Sequence, residues 1–287
     1  MCLAAIAVAR SERFPWVLAS NRDEFFDRPT MPLAWWQPDN GGPPVLSGRD
    51  LSAGGTWLGL TETGALALVT NVREPGRFDP AAASRGALVL QWLRSAPGNL
   101  AGPGTDDAQA LRWLDSPPRN GFNLYAADLL AGARAAEHSA LWASNRAPAH
   151  RRLGPGLVGL SNAALDTPWP KVTVLKRRLQ AALDAGPDAA GLAAAAFAAL
   201  ADRRAAPDDK LPDTGVPLLR EQQLSSACIR IEDPGTGRVY GTRCSTVVMV
   251  ERTASGLQVR VIERTFGTQG SITGEIAVDW QLPEARA

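Results

Sequence analysis

Two apolar runs, CLAAIAVA and WVLASN, flank the polar turn ARSERFP. Runs of this kind joined by a short polar loop suit an antiparallel hairpin, and that pairing brings the end of the second strand back beside the start of the first. Cys2 and Asn21 become neighbours. The second run continues without a break into Asn21, Arg22, Asp23 and Glu24. Successive side chains on a strand point to opposite faces, so two of these four face inward. An arginine buried next to a carboxylate must recover by close pairing the hydration that it loses, which is how a functional site is built. The other reading is a turn with all four groups in water.

Along the rest of the chain, TWLGLTETGALALVTNV reads as a second hairpin around the turn TETG. The stretch between the two hairpins, RPTMPLAWWQPDNGGPPVLSGRDLSAGG, is rich in Pro and Gly and reads as a long loop. From Ser84 the spacing becomes helical, with Leu88, Val89, Trp92 and Leu93 on one face, and AQALRWLDS continues in that mode. NLYAADLL and SALWASN return to strands, and GLVGLSNAALDTPWPK carries a strand into a turn. A helical segment follows over about 172–201, broken at AGPDAAG. Strands close the chain in SSACIRIEDPGTGRVYGTRCSTVVMVER and LQVRVIERTF. Blocks of strands and helices with hairpins at both ends point to a layered α+β sandwich, and the absence of an obvious linker points to one domain over 1–287.

A net charge of +1 offers no broad field for nucleic acid. AAGLAAAAFAAL is too short to cross a bilayer, and the start MCLAAIAVAR, with its apolar run cut by Arg10, resembles no export leader. Three cysteines, Cys2, Cys228 and Cys244, form neither a disulfide framework nor a CxxC metal site, so a reducing, cytoplasmic location is expected. No metal and no phosphate-binding glycine string is expected; Gly54, Gly55 and Gly59 around Trp57 suit close backbone approach.

With only His138 and His150 available, a Cys–His dyad has little support. Removal of Met1 supplies another base. The freed α-amine of Cys2 can accept its own thiol proton, as in the pairing of a Thr nucleophile with an N-terminal amine. Arg22 would favour the thiolate, and Asp23 or Glu24 would hold the amine. Cys2 can equally be a small apolar residue at the start of a strand.

The motifs MCL, ASNRDEFFDRP, GGTWLG, LVTNVRE, LSNA and YGTRCSTVV, in this order from Met1 to about Val250, resemble the NRDE family, whose animal members are called Transport and Golgi organisation protein 2. That family is similar to the N-terminal-nucleophile hydrolases of the choloylglycine hydrolase and penicillin V acylase group. The resemblance implies a four-layer αββα sandwich of two antiparallel sheets, with Cys2 as nucleophile of an amide or thioester hydrolase. It implies that Asn71 and Asn162 occupy oxyanion and substrate-orienting positions and that Arg243 is a further charged group at the site. Asn71 also ends a strand of the second hairpin, where its amide suits a developing oxyanion. The acylases separate an Arg from an Asp by two residues, whereas Arg22 and Asp23 are adjacent here, so the choice between Asp23 and Glu24 stays open.

Asn21, Trp35, Trp36, Trp57 and Arg73 are the expected substrate contacts, the paired tryptophans as a cap on an apolar ligand. Hydrolysis by this route needs no cofactor. The resemblance also implies an alternative without catalysis, a haem-trafficking or acyl-coenzyme A and lipid-binding protein on the same scaffold. Cys2, His138 or His150 would then ligate haem, and Arg22, Arg28, Arg73 and Arg77 would contact phosphates.

Overall fold

The amino-terminal hairpin forms: β1 (Cys2–Val8) and β2 (Trp16–Phe25) pair antiparallel, with Cys2 opposite Arg22 and Val8 opposite Trp16. The structure, a computed structural model, describes residues 2–39, 41–95, 114, 117–135 and 138–283. The expected helical continuation AQALRWLDS falls almost wholly outside them.

One sheet contains β3 (Thr30–Trp36), β4 (Val45–Asp50), β5 (Leu58–Leu60), β6 (Ala65–Asn71), β7 (Phe122–Asp128), β8 (Ala140–Ser144) and β9 (Arg151–Leu153), paired antiparallel in chain order. The other contains β10 (Gly156–Leu160), β11 (Arg230–Glu232), β12 (Val239–Thr253), β13 (Gly256–Phe266) and β14 (Ile272–Gln281) together with the first hairpin. Its order is β10-β1-β2-β12-β13-β14, with β11 beside β12. All its pairings are antiparallel.

The described helices are α1 (Gly86–Ser95), α2 (Leu129–Ala133), α3 (Pro170–Asp184), α4 (Ala189–Leu200) and α5 (Leu218–Gln223). Three apolar cores stack between the layers. Leu88, Val89, Trp92 and Leu93 of α1 pack on Val45, Ala67, Val69 and Leu124, covering the outside of the β3–β9 sheet. Ala4, Ile6, Leu18 and Val248 meet Leu46, Leu60, Leu66 and Leu68 between the two sheets. Val172, Leu175 and Leu179 of α3, with Leu192 and Phe197 of α4, cover Leu3, Ala5, Val17, Val247 and Met249 on the outside of the second sheet. The molecule is a four-layer αββα sandwich.

This layering explains why β1 is apolar throughout and β2 is apolar over 16–19. Alternate side chains enter the inter-sheet core and the helix-facing core, and both are dry. The expectation that two residues of the polar quartet face inward understates the result: Asn21, Arg22 and Asp23 are all buried, and Glu24 is half-buried. The loop expected between the hairpins contains two strands, β3 and β4. Proline tolerates the edge of a sheet and bulges, and Pro32 lies on the edge strand where the register shifts between Met31 and Ala34.

Asn21 is a structural residue of this sandwich. Its amide donates to the carbonyls of Leu200 (2.9 Å) and Ala227 (2.8 Å) and accepts from the Ser245 hydroxyl (2.6 Å), tying β2 to α4 and β12. Asn21→Ala strands two carbonyls and a hydroxyl in a dry layer and should cost about 3 kcal/mol of stability, read by chemical denaturation. A loss of less than about 1 kcal/mol would contradict this reading.

Candidate functional site

Strand register sets the centre of the site. Cys2 opposes Arg22 across β1 and β2, and Arg22 opposes Cys244 across β2 and β12, so alternation places Cys2, Arg22 and Cys244 on the inter-sheet face. Asp23 points to the helix-facing side. Between Thr242 and Cys244 the β12 register shifts, which makes Arg243 a bulge residue. The bulge turns Thr242 to the face of Asp23, where its hydroxyl donates to Asp23 Oδ1 (2.7 Å).

These residues open on a cavity of about 830 Å³ lined by Cys2, Arg22, Asp23, Glu24, Trp57, Asn71, Arg73, Arg85, Asn162 and Tyr240, among others. Ser161 donates to the Cys2 carbonyl (3.0 Å), Asn162 Nδ2 donates to the Asn71 carbonyl (2.8 Å), and the Arg73 N–H donates to the Asn162 carbonyl (2.8 Å). The segment after β10 thus locks the end of β6 to the start of β1. Asn162 acts through Asn71. The Asn71 side-chain amide has no hydrogen-bond partner among the described residues and lines the cavity, so it is available to an oxygen placed there.

Arg22 is 4% exposed, and its guanidinium lies 4.1 Å from the Trp57 ring centre, with Asp50 at 3.9 Å. A desolvated stack of this type is worth about 2 kcal/mol and fixes the cation. Gly48 makes room for the Trp57 ring, because a Cβ there would overlap it. At the cavity edge a Cβ on Gly55 would sit 2.6 Å from the Gly86 carbonyl carbon, so of the glycines around Trp57 Gly55 permits close backbone approach, whereas Gly59 lies against the side chains of Leu93, Val45 and Val89 and Gly54 has open space around it.

Burial pushes the Cys2 thiol up, and the Asp23 carboxylate adds to that while Arg22 opposes it. Burial also pushes the Asp23 carboxyl up, against Lys171 and the Thr242 hydrogen bond. Asp23 acts on the thiol more strongly than Glu24 does, whose Oε1 accepts the Phe25 N–H (2.9 Å). Behind Asp23, Lys171 is buried at the start of α3 and donates to the Leu224 carbonyl (3.0 Å). Burial pulls its pKa down to about 8, with Asp23 opposing.

Other expected site residues lie elsewhere. Trp35 and Trp36 do not line the cavity: Trp35 meets Trp280 edge-on at 5.5 Å, and Trp36 donates to Ser47 (2.8 Å) under Arg49. Asn21 faces α4, as described above. Arg243 sends its guanidinium to the carbonyls of Phe25 (2.7 Å) and Arg28 (3.0 Å), pinning the segment after β2 without lining the cavity. Arg73 does line it, in a buried ion pair with Glu221 (2.7 Å). His138 and His150 are not lining residues, which leaves Cys2 without an imidazole companion, and its raised thiol pKa disfavours the thiolate that iron takes. This donor set does not fit haem at the cavity. Among the described residues no group of three or more His, Cys, Asp and Glu is placed to hold a metal ion, and no helix is long and apolar enough to cross a membrane.

A profile of the family described as Transport and Golgi organisation 2 matches residues 1–268. The chain belongs to this family. The Transport and Golgi organization protein 2 homologs of Bos taurus and Homo sapiens are 35% and 33% identical to it over 248 and 247 residues, covering 82% of each chain. The Drosophila melanogaster Transport and Golgi organization protein 2 is 30% identical over 269 residues, covering 87% of this chain and 86% of its own. Among solved structures, the mutant C2A conjugated bile acid hydrolase from Clostridium perfringens aligns over 97% of this chain and 92% of its own, with 9% identity and a TM-score of 0.45.

In this member of the Transport and Golgi organisation 2 family, sequence reasoning missed Arg85, Lys171, Glu221, Thr242 and Tyr240. Lys171 follows a Trp-Pro pair that starts a helix, a usable signal for a first-turn position. Thr242 sits beside the chosen Arg243, and only the bulge selects it. Lys171 also makes a pH-dependent prediction. Its folded pKa of about 8 lies below the unfolded 10.5, so the unfolded state binds more protons between those values. Stability of the wild type relative to Lys171→Met should therefore rise as pH increases from about 8 towards 10.5 in urea titrations. A flat difference across that window would contradict the burial of a titrating amine.

Proposed function

We propose that the protein is an N-terminal cysteine hydrolase acting on an amide or thioester of a small acyl compound, after loss of Met1. The observation that carries this reading is the position of Cys2: it starts a strand covered on both faces, opposes Arg22, and lines the same cavity as Asn71 and Asp23. A cysteine kept only for packing has no need of a guanidinium, a carboxylate and a free amide around one cavity.

The chemistry begins when the Met1–Cys2 peptide bond is hydrolysed. The new α-amine takes the Sγ proton, and the thiolate attacks the acyl carbon. Negative charge moves to the carbonyl oxygen, where the Asn71 amide donates to it. The carbon–nitrogen or carbon–sulfur bond of the substrate then breaks, and the protonated amine returns the proton to the leaving group. Water, deprotonated by the same amine, attacks the acyl-cysteine and releases the carboxylic acid and the free thiol. Arg22 favours the thiolate throughout, and Asp23 holds the ammonium form of the amine.

The non-catalytic alternative keeps the cavity and drops the chemistry, with an acyl compound as bound ligand. Turnover of a panel of N-acyl amides and acyl thioesters separates the two. Loss of Met1 with turnover that disappears in Cys2→Ala supports the hydrolase. Asn71→Ala should lower kcat by about a hundredfold while KM changes little, as for one lost oxyanion donor. Absent turnover by protein that lacks Met1, across the whole panel, would leave the binding reading.

A further inference from the structure

Four arginines line the cavity, and three of them lie in ion-pair range of a carboxylate, two of these sharing Asp50. Arg22 is stacked on Trp57 with Asp50 beside it, Arg28 Nε donates to Asp50 Oδ2 (2.8 Å), and Arg73 pairs with Glu221. Glu74, also on the wall, is taken by Arg146 (2.6 Å) and Arg77 (3.7 Å). Arg22, Arg28 and Arg73 thus each have a carboxylate within the protein, and Arg77, 75% exposed, does not line the cavity.

Arg85 is different. It is half-buried on the cavity wall just before α1, and its bond among the described residues is a long one, from Nη1 to the Gly121 carbonyl (3.3 Å). No carboxylate of a described residue is in ion-pair range of it. A guanidinium carries five N–H donors in a planar fork matched to carboxylate and phosphate. Partial burial makes an unanswered charge there costly, and an anion delivered by a ligand removes that cost. Burial and Arg28 work against the Arg85 charge, whereas Cys2, Glu24 and Tyr240 favour it, and Arg85 lines the same cavity as the proposed nucleophile.

We propose that Arg85 holds the anionic group of the ligand, a carboxylate or a phosphate, while the acyl end of the same molecule lies at Cys2. The acyl part rests on the function proposed above; the anion site stands or falls on binding alone. The cavity therefore selects acyl compounds that carry a negative charge, such as acyl amino acids or acyl phosphate esters, over neutral amides.

The test is calorimetric binding of N-octanoylglycine, its neutral analogue N-octanoylglycinamide, and octyl phosphate to the full-length Cys2→Ala protein, which cannot turn them over. At least one anionic probe should bind roughly tenfold to a hundredfold more tightly than the neutral one. That preference should vanish in Cys2→Ala/Arg85→Gln and partly return in Cys2→Ala/Arg85→Lys. Preference for the glycine conjugate assigns the site to carboxylates, and preference for octyl phosphate assigns it to phosphates. Equal binding of all three probes, no binding of any, or a preference that survives Arg85→Gln overturns the proposal. An Arg85-dependent preference together with no turnover by Cys2-containing protein sinks the hydrolase alone. Turnover of neutral amides without any anion preference sinks the Arg85 site alone.

Discussion

The structure depends on burying β1 and β2 on both faces. A strand pair pressed between an inter-sheet core and a helix-facing core has no water to offer its polar groups, and each must find a partner inside the protein. Asn21 meets this demand with two carbonyls and a hydroxyl. Arg22 meets it with an aromatic face and a nearby carboxylate, and Asp23 with a threonine hydroxyl. These three residues, within the polar run 20–24 that follows the apolar start of β2, therefore commit α4, β12, the Trp57 segment and the carboxylate of Asp50 to fixed positions. The cavity lies where this commitment ends and the strands run out.

The same constraint separates structural from reactive groups. Polar side chains engaged inside the protein, such as Asn21 with its two carbonyls and a hydroxyl and Arg73 with Glu221, hold layers together. Those on the cavity wall with spare capacity, namely Cys2, the Asn71 amide and Arg85, are left for a ligand. Burial raises the Cys2 thiol while Met1 is in place. An α-amine at Cys2 would add a base within the nucleophile's own residue, which gives removal of Met1 chemical meaning as the arming step.

Much of this was legible in the sequence where local pattern determines structure. The first hairpin, the β5–β6 turn, the apolar face of α1 and the break between α3 and α4 all follow from runs and spacing, because each is set by neighbours close in the chain. The neighbourhood of Cys2 and Arg22 also followed, since a hairpin fixes its own register. What escaped was long-range. β3 and β4 were hidden by prolines that an edge strand tolerates, and β14 by its alternation of exposed and half-buried residues along Ile272–Gln281. The bulge that exchanges Thr242 for Arg243 depends on pairing with a strand more than two hundred residues away. Arg85 stood in a plain SRGALVL stretch, and its significance came from what the other arginines had already bound.

Whether Cys2 is a nucleophile armed by its own amine is decided by intact mass followed by alkylation of Cys2 across pH. Peptide mapping separates it from buried Cys228 and Cys244. The purified protein should lack Met1, and its Cys2 should react at lower pH than in a form retaining Met1. Retained Met1 in the native protein, or the same pH profile for Cys2 in both forms, would contradict that arming.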